Sequence, residues 1–421
     1  MNSPISSKIY DLVVVGGGAA GLMAALTAAQ QGCSVAVAEK HHRCGLKLAA
    51  TGNGRCNLTN AAPIEEMAER FGREWRFMLP AFEALDNIEL GKFFADLGVP
   101  IHAADGVHFF PDSGRAMDVV DALISAGKNE HVEYLVNYPI RQIIKLEDNL
   151  FQLNTPENPP LFGRKILLSG GGCGYPTLGD GTGVFDLARQ FGHEIVTPLP
   201  GMCGLYCEES WPKSCAGTVL SDCQIALLVK NKVKAVERGE VLLTGEGISG
   251  PAVLDIAGRA GRAFTEGKSV ELALNLHASR TLADWQELFN QWRLEQGKKL
   301  LKNILCYEFN HNLALALMEE AKVNAEVKIC EITAQERDTL LELMVNAKLH
   351  LNALAPWSKA MVTHGGVALK TVNPKDLSSK IVPNVYFAGE ILNLDGPCGG
   401  YNLQWAFSSG FLVGNAVARM K

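Results

Sequence analysis

Residues 11–22, DLVVVGGGAAGL, decide the fold of this chain. An apolar, strand-like run ends in three glycines, and an alanine-rich stretch then continues to Gly32. Residues 34–38 return to a strand-like pattern. Residues 12–38 carry no charged side chain, but the glycines and the short strand-like runs exclude a membrane-spanning helix. The segment therefore predicts a strand–helix–strand unit.

Three glycines in this unit, Gly16, Gly18 and Gly21, have the GxGxxG spacing of a dinucleotide-binding turn. The first permits a tight turn, the second lets the backbone approach a pyrophosphate, and the third allows close packing of helix on strand. The helix N-terminus offers N–H groups to the phosphates. Glu39 ends the second strand, 18 residues after Gly21, where it can bind an adenosine ribose. The motif alone does not distinguish FAD, NAD and NADP.

The next loop helps to distinguish these three cofactors, because its residues indicate how far the ligand extends past the ribose. Residues 45–60, GLKLAATGNGRCNLTN, are mostly small or polar and contain the two cations Lys47 and Arg55. A loop of this kind suits a long, doubly charged ligand that continues past the ribose. The alternative, a loop exposed to solvent, is disfavoured by the number of glycines and of polar residues that are typical of buried sites.

Two further strand-like runs end in glycines, residues 165–172 and residues 385–390. A third glycine-rich turn, residues 395–402, leads into a helical pattern over residues 403–418. The run at residues 165–172 lacks the full GxGxxG spacing, so a second complete dinucleotide fold is not predicted.

The middle of the chain differs, being strand-rich over residues 196–279 and helical over residues 280–355. We therefore expect a nucleotide-binding domain built from residues 1–195 and 356–421, interrupted by an inserted domain.

The composition restricts the partners of the protein. The chain has 45 acidic and 39 basic residues, a net charge of −6, which does not favour a basic nucleic-acid platform. Eleven cysteines without a regular spacing or paired histidines predict neither a disulfide framework nor a metal site. We expect a cytoplasmic protein with no membrane partner. The oligomeric state is not predicted.

Four stretches together resemble the BaiN/RdsA family of NAD(P)/FAD-dependent oxidoreductases, whose members are also described as YhiN-like or aminoacetone oxidase-like flavoproteins. The stretches are residues 11–22, residues 45–60, ISGPA at residues 248–252, and GE at 389–390 with GGYNLQWA at 399–406. The likeness covers nearly the whole chain. It implies an α/β fold in which a split Rossmann-like FAD-binding domain of the glutathione-reductase type carries an inserted α+β region, partly β-barrel-like and partly helical.

The resemblance also implies FAD as cofactor and NAD(P)H as electron donor. It places the pyrophosphate at the glycine turn, the ribose at Glu39, the adenine near Ile140 and the ribityl chain at Glu390. The cofactor-binding residues that it implies are Gly16, Gly18, Ala19, Ala20, Gly21, Glu39, Lys40, Lys47, Gly54, Arg55, Cys56, Asn57, Ile140, Gly170, Gly171, Gly389, Glu390, Gly400, Tyr401, Asn402 and Leu403. The chain departs from the family pattern at Asn53 and Asn393.

The reaction implied is reduction of a conjugated C=C bond, because family members reduce steroid enones or make dihydrouridine in ribosomal RNA. Cys398 is the predicted catalytic proton donor, with Tyr401 and His364 as alternatives. Two other functions stay open, a flavin amine oxidase that uses O2 and a non-catalytic flavin-containing binding or assembly factor. A small molecule and RNA both stay open as substrates.

Overall fold

The computed structural model describes residues 8–178 and 182–419. The chain forms two compact units. The first comprises Met1–Pro198 and Val362–Lys421, and the second comprises Leu199–Met361. Among the described residues, no helix is both long and apolar enough to cross a membrane.

Strands and helices are interspersed along the whole chain. The strands are β1 (Ile9–Val15), β2 (Val35–Ala38), β3 (Thr59–Asn60), β4 (Ile101–His102), β5 (His108–Pro111), β6 (Glu133–Leu135), β7 (Gln142–Lys145), β8 (Phe151–Asn154), β9 (Leu161–Leu168), β10 (Ile195–Gly201), β11 (Leu205–Cys207), β12 (Val219–Val229), β13 (Lys232–Leu243), β14 (Gly247–Ser249), β15 (Val270–Asn275), β16 (Ala347–Leu354), β17 (Val362–Val367) and β18 (Val385–Phe387). The helices are α1 (Ala19–Gln30), α2 (Leu46–Gly54), α3 (Ile64–Glu69), α4 (Trp75–Ala84), α5 (Asn87–Asp96), α6 (Ala116–Asn129), α7 (Gly183–Gln190), α8 (Trp211–Ser214), α9 (Pro251–Thr265), α10 (Leu282–Gln296), α11 (Leu301–Leu305), α12 (His311–Glu320), α13 (Ala334–Asn346) and α14 (Tyr401–Arg419).

The first unit is built on a sheet with the strand order β6-β2-β1-β9-β8-β7, and β18 also pairs with β9. Strands β6, β2, β1, β9 and β18 run parallel, and β8 and β7 add an antiparallel edge. The end of β1 is nearly all buried, as expected of a parallel strand that is covered on both faces. Val15 and Phe387 both pair with Leu168, so three strands end side by side.

Close helix packing joins the C-terminal helix to the N-terminal βαβ unit. Helix α14 crosses α1 at two glycines. A Cβ on Gly410 would lie 2.3 Å from the carbonyl oxygen of Ala20, and one on Gly414 would lie 2.6 Å from the Cβ of Thr27. The two ends of the chain therefore meet in one folded unit.

The second unit is a closed antiparallel barrel with the strand order β11-β14-β13-β12-β15-β16, accompanied by helices α8–α13. Burial alternates along β15, and the inward side chains Leu272 and Leu274 are fully buried. Trp285 and Phe289 of α10 belong to the same apolar core.

The region expected to be helical, residues 280–355, does not stay helical to its end. Residues 347–354, AKLHLNAL, form β16, which pairs with β15 and β11 and closes the barrel. Along residues 347–352, buried and exposed residues alternate with a period of two, which is the pattern of a strand with one face on a core. The prediction was wrong there because the preceding helical pattern was continued through this alternation.

Candidate active site

The glycine turn of the first unit leaves no room for side chains on its inner side. A Cβ on Gly21 would lie 2.0 Å from the carbonyl oxygen of Gly16, and one on Gly16 would lie 2.6 Å from the Cα of Gly170. Gly18 differs, because a Cβ there would meet no atom within 4 Å. Gly18 is also the N-cap of α1, and no side chain caps the helix. The N-terminus of α1 therefore faces open space with its first N–H groups available to an anion.

The carboxylate of Glu39 is fixed beside this turn. It accepts hydrogen bonds from the backbone N–H groups of Gly17, at 2.8 Å, and His41, at 2.9 Å. The carbonyl oxygen of Glu39 accepts from the N–H of Tyr138 at 2.8 Å, which holds the segment leading to the buried Ile140 against the end of β2. The predicted ribose and adenine residues thus lie on neighbouring segments.

An ion pair joins two predicted cofactor residues that are 343 positions apart. The Nζ of Lys47 lies 2.7 Å from the Oε2 of Glu390, and these side chains are 24% and 22% exposed. The other carboxylate oxygen of Glu390 accepts from the N–H of Thr363 at 2.8 Å. A Cβ on Gly172 would lie 2.8 Å from that same oxygen, so the glycine run after β9 also adjoins the pair.

Asparagines fix the turn that precedes α14. The side-chain N–H of Asn60 donates to the carbonyl oxygen of Gly399 at 2.9 Å. Asn402 accepts from the N–H of Gly396 at 2.8 Å and donates to its carbonyl oxygen at 2.9 Å. A Cβ on Gly400 would lie 2.6 Å from the carbonyl carbon of Thr59.

Asn57 adds a further link to this turn. Its side-chain oxygen accepts from the N–H of Gly400 at 3.2 Å, and its side-chain nitrogen donates to the carbonyl oxygen of Thr59 at 3.0 Å. The predicted segments 54–57 and 400–403 are therefore brought together.

Two predicted cysteines lie in different surroundings. Cys56 is fully buried, with its N–H donating to Thr51 at 3.0 Å, and burial raises the pKa of its thiol to about 12. The Cys56 side chain therefore packs in the protein interior, and its role as a cofactor residue stays a prediction. Cys398 is exposed in the turn before α14. Gly54 and Arg55 are exposed, and the Arg55 guanidinium lies 4.9 Å from the centre of the Phe110 ring.

Two histidine–aspartate pairs border the turn before α14, and sequence reasoning missed most of their members. The Nδ1 of His364 lies 2.8 Å from the Oδ1 of Asp395. The Nδ1 of His108 lies 2.7 Å from the Oδ2 of Asp105, and its Nε2 would be 3.1 Å from a Cβ on Gly399. Of these four residues, His364 precedes two glycines and Asp395 begins the glycine-rich turn at residues 395–402, whereas Asp105 and His108 carried no sequence signal.

The residues present fit a dinucleotide that bears a flavin. The open N-terminus of α1 suits a pyrophosphate, and Glu39 offers acceptors for ribose hydroxyls. The Lys47–Glu390 pair places further polar groups after the end of β18, where they suit the polar chain of such a cofactor. Within residues 8–178 and 182–419, no group of three potential metal ligands comes together.

Comparisons with known proteins agree with this assignment. The family model described as "HI0933-like protein Rossmann domain" matches residues 10–416. The chain is 28% identical to the 3-dehydro-bile acid delta(4,6)-reductase of Clostridium scindens, over 96% of this chain and 98% of that one. It is 27% identical to the ribosomal RNA dihydrouridine synthase of Haemophilus influenzae, over 98% of this chain and 100% of that one.

A solved structure supports the fold. The 3-ketosteroid delta1-dehydrogenase of Sterolibacterium denitrificans superposes with a TM-score of 0.52 at 13% identity, covering 99% of this chain and 100% of that one. Together with the family match, this confirms the predicted fold class, a Rossmann-type FAD-binding fold that also contains a barrel.

Proposed function

We infer the function from one premise: the chain belongs to the family of HI0933-like proteins with a Rossmann domain. The protein is an oxidoreductase of a flavoenzyme family. We propose that it binds FAD, takes electrons from NAD(P)H and reduces a C=C bond conjugated with a carbonyl group. The observation that carries the proposal is the meeting of the glycine turn, Glu39 and the Lys47–Glu390 pair where β1, β2, β9 and β18 end.

The chain's own groups bind the two halves of the cofactor in this proposal. The N–H groups at Gly18–Gly21 hold the pyrophosphate, and Glu39 and Lys40 hold the ribose. Lys47 and Glu390 hold the polar chain that leads to the flavin ring. FAD, when bound, supplies the two-electron chemistry that passes a hydride from a nicotinamide to a double bond.

The N-terminus of α14 supplies electrostatic stabilisation in the same proposal. Helix α14 begins at Tyr401, directly after Gly400, and is 19 residues long, and the N–H groups of its first turn carry the positive end of its dipole. We propose that these groups face the pyrimidine edge of the flavin ring, where negative charge develops during reduction. Asn57 and Asn60 hold this turn in place.

The two relatives point to one substrate chemistry. One is named a 3-dehydro-bile acid delta(4,6)-reductase and the other a ribosomal RNA dihydrouridine synthase. An enone and the uracil ring share a C=C bond that is conjugated with a carbonyl group. We propose this unit as the substrate class, with both a small molecule and RNA as possible carriers of it. The reduction needs a proton as well as a hydride, and Cys398 is the donor put forward by the sequence.

The experiment that tests this function follows the flavin absorbance near ~450 nm while the purified protein is mixed anaerobically with NADH or NADPH. We expect rapid bleaching with one of the two, and FAD as the flavin released on denaturation. If neither nicotinamide bleaches the flavin, the reductase function is wrong and the binding-factor function is favoured. Hydrogen peroxide formed from an amine and O2, without a nicotinamide, would identify an oxidase.

A further inference from the structure

We propose that His364, oriented by Asp395, donates the proton that completes the reduction. This proposal rests on the proposed function, because it concerns the second half of that reaction. His364 acts as the catalytic acid, and Asp395 is a positioning residue that acts through it.

The geometry of the pair favours one arrangement of protons. The Nδ1 of His364 lies 2.8 Å from the Oδ1 of Asp395, and the two side chains are 22% and 21% exposed. A carboxylate has no proton to give, so Nδ1 carries the hydrogen and donates it to Asp395. The other ring nitrogen, Nε2, is left to exchange a proton with the substrate, and the carboxylate stabilises the charged ring while Nε2 is protonated.

The pair adjoins the proposed cofactor site through its neighbours in sequence. Thr363 precedes His364, is fully buried, and donates its N–H to Glu390 at 2.8 Å. Its hydroxyl accepts from the N–H of Cys173 at 2.7 Å. Because side chains alternate along a strand, His364 lies on the opposite face of β17 from Thr363. That face meets Asp395, at the start of the turn that leads into α14.

The backbone that follows His364 is locked. Gly365 and Gly366 have φ angles of +121° and +126°. A Cβ on Gly365 would lie 2.6 Å from the carbonyl oxygen of Thr197, and one on Gly366 would lie 2.5 Å from that of Ile391. Only glycine fits both positions, so the strand is held between two neighbouring segments. This fixes the point from which the imidazole extends.

Other candidate proton donors of the first unit are more exposed to solvent. Cys398 is exposed in its turn. The His108–Asp105 pair is 39% and 55% exposed, and the His102–Asp112 pair is 55% and 54% exposed. Electrostatic interactions are stronger where water is excluded, so the half-buried pair of His364 and Asp395 is best suited to hold a proton for transfer.

The proposed step conserves atoms and electrons. A hydride that originates from NAD(P)H forms a C–H bond at the substrate carbon β to the carbonyl, and the C=C electron pair moves toward the carbonyl oxygen as an enolate. The proton on Nε2 of His364 then forms a C–H bond at the α carbon. NAD(P)H is oxidised to NAD(P)+, the C=C bond is reduced, and the ring is reprotonated by water.

The test measures the two halves of the reaction separately. Each protein is reduced anaerobically by the nicotinamide, then mixed with a 4-en-3-one steroid or with total ribosomal RNA. We expect H364N to be reduced at the wild-type rate but reoxidised by the acceptor about 10²- to 10⁴-fold more slowly, the usual contribution of a general acid. D395N is expected to fall between H364N and the wild type. H102N, which removes an exposed histidine of the same pairing type, is the matched control and is expected to match the wild type.

A second readout does not depend on turnover. In protein with 15N-labelled histidine, NMR is expected to show hydrogen on Nδ1 of wild-type His364 in both of its charge states. The donating form carries hydrogen on both ring nitrogens, and the neutral form that remains after proton transfer is the Nδ1–H tautomer. In D395N the neutral ring is expected to be a mixture of tautomers. An H364N protein that holds its flavin and reoxidises at the wild-type rate would overturn the proposal, as would a loss of reoxidation in C398S but not in H364N. If the wild type itself is reduced but transfers nothing to either acceptor, the proposed function fails, which is a distinguishable outcome.

Discussion

The two units of the chain use their strand ends differently. In the first unit, β1 and β9 end in glycines and polar side chains that surround open space at Gly18. In the second unit, the barrel interior is filled, and Cys207 and Cys223 are fully buried with burial raising the pKa of each thiol to about 12. Neutral thiols of this kind, including that of Cys56 in the first unit, pack as apolar groups and are poor nucleophiles, so the units differ in their strand ends and not in their buried thiols. The comparison favours the first unit as the location of the redox chemistry.

Two of the ion pairs, one in each unit, differ in exposure. Lys47 and Glu390 of the first unit are each less than one quarter exposed, and Glu390 also accepts a backbone hydrogen bond. In the second unit, Arg238 is 56% exposed beside Asp222, and the Arg238 and Ser279 hydrogen bonds lower the pKa of Asp222 to about 2. Exposed pairs contribute little to stability, so only the first pair is expected to matter for the cofactor.

The largest effect is expected for Gly21→Ala. The added Cβ would lie 2.0 Å from the carbonyl oxygen of Gly16, which forces the turn and α1 apart. Overpacking of this severity costs about 3 kcal/mol or more, so we expect flavin affinity to fall at least ~100-fold. Fluorescence titration of the apoprotein with FAD measures it. The matched control is G245A in the second unit, where a Cβ meets no atom within 4 Å, and full flavin binding by G21A would contradict the account.

The next effect concerns stability alone. Leu272 is fully buried in the barrel, so L272A is expected to cost about 2–5 kcal/mol of unfolding free energy by leaving a cavity. Flavin affinity of the folded protein is expected to stay at the wild-type value, because the substitution lies in the second unit. Denaturant unfolding followed by circular dichroism, beside FAD titration, checks both. A parallel loss of flavin affinity would show that the second unit also contributes to flavin binding.

A smaller effect is expected for E390Q. The amide leaves Lys47 without its counter-charge and weakens a charge-assisted hydrogen bond, which costs about 1.5–3 kcal/mol in a half-buried site. We expect flavin affinity to fall about 10- to 150-fold. The control, D222N, removes a carboxylate from the exposed pair of the second unit and is expected to leave FAD titration unchanged. Equal effects of the two variants would show that burial of the pair is irrelevant.

Two histidines, one in each unit, are expected to make opposite contributions to the pH dependence of the free energy of unfolding. His193 is buried between the hydroxyls of Thr371 and Ser379, and burial lowers its pKa. The unfolded chain therefore binds the proton first, and stability is lost as the pH falls below ~6.5. The Glu209 carboxylate raises the pKa of His350, so that contribution is present below ~6.5 and is lost as the pH rises through the folded value.

Urea unfolding between pH 5 and 8 separates the two contributions. H193Q is expected to flatten the acidic side of the stability profile, and H350Q is expected to flatten the side above ~6.5. If the free energy of unfolding changes with pH in the same way in both variants, the assigned directions of the two histidine pKa shifts are wrong.

The parts of the fold that depend on local patterns were predictable. The GxGxxG turn is set by contacts within a few residues and to one neighbouring strand, so its spacing was informative. Residues 347–354 were assigned wrongly because a strand that closes a barrel is defined by distant partners, here β11 and β15. The fold class was predictable because strand-like runs followed by glycines recur at both ends of the chain, and the family match and the solved structure confirm it.

The site was predictable as a set of residues but not as a set of contacts. Lys47 and Glu390 were both named, yet their ion pair spans 343 positions and no local pattern indicates it. His108 was missed because its neighbours carry no motif, and only the pairing of β3 with β5 brings it toward Gly399. Cys56 lies in a recognisable run, but its burial depends on packing that the run does not encode. The roles of the named cofactor residues stay predictions.

One measurement tests the central claim most directly. The anaerobically reduced wild-type protein is mixed with a 4-en-3-one steroid, with total ribosomal RNA or with O2, and recovery of flavin absorbance is followed beside product analysis. We predict that one of the first two restores the absorbance and gains two hydrogens across its conjugated C=C bond. Recovery by O2 alone, with hydrogen peroxide as the product and both conjugated acceptors unchanged, would contradict the account.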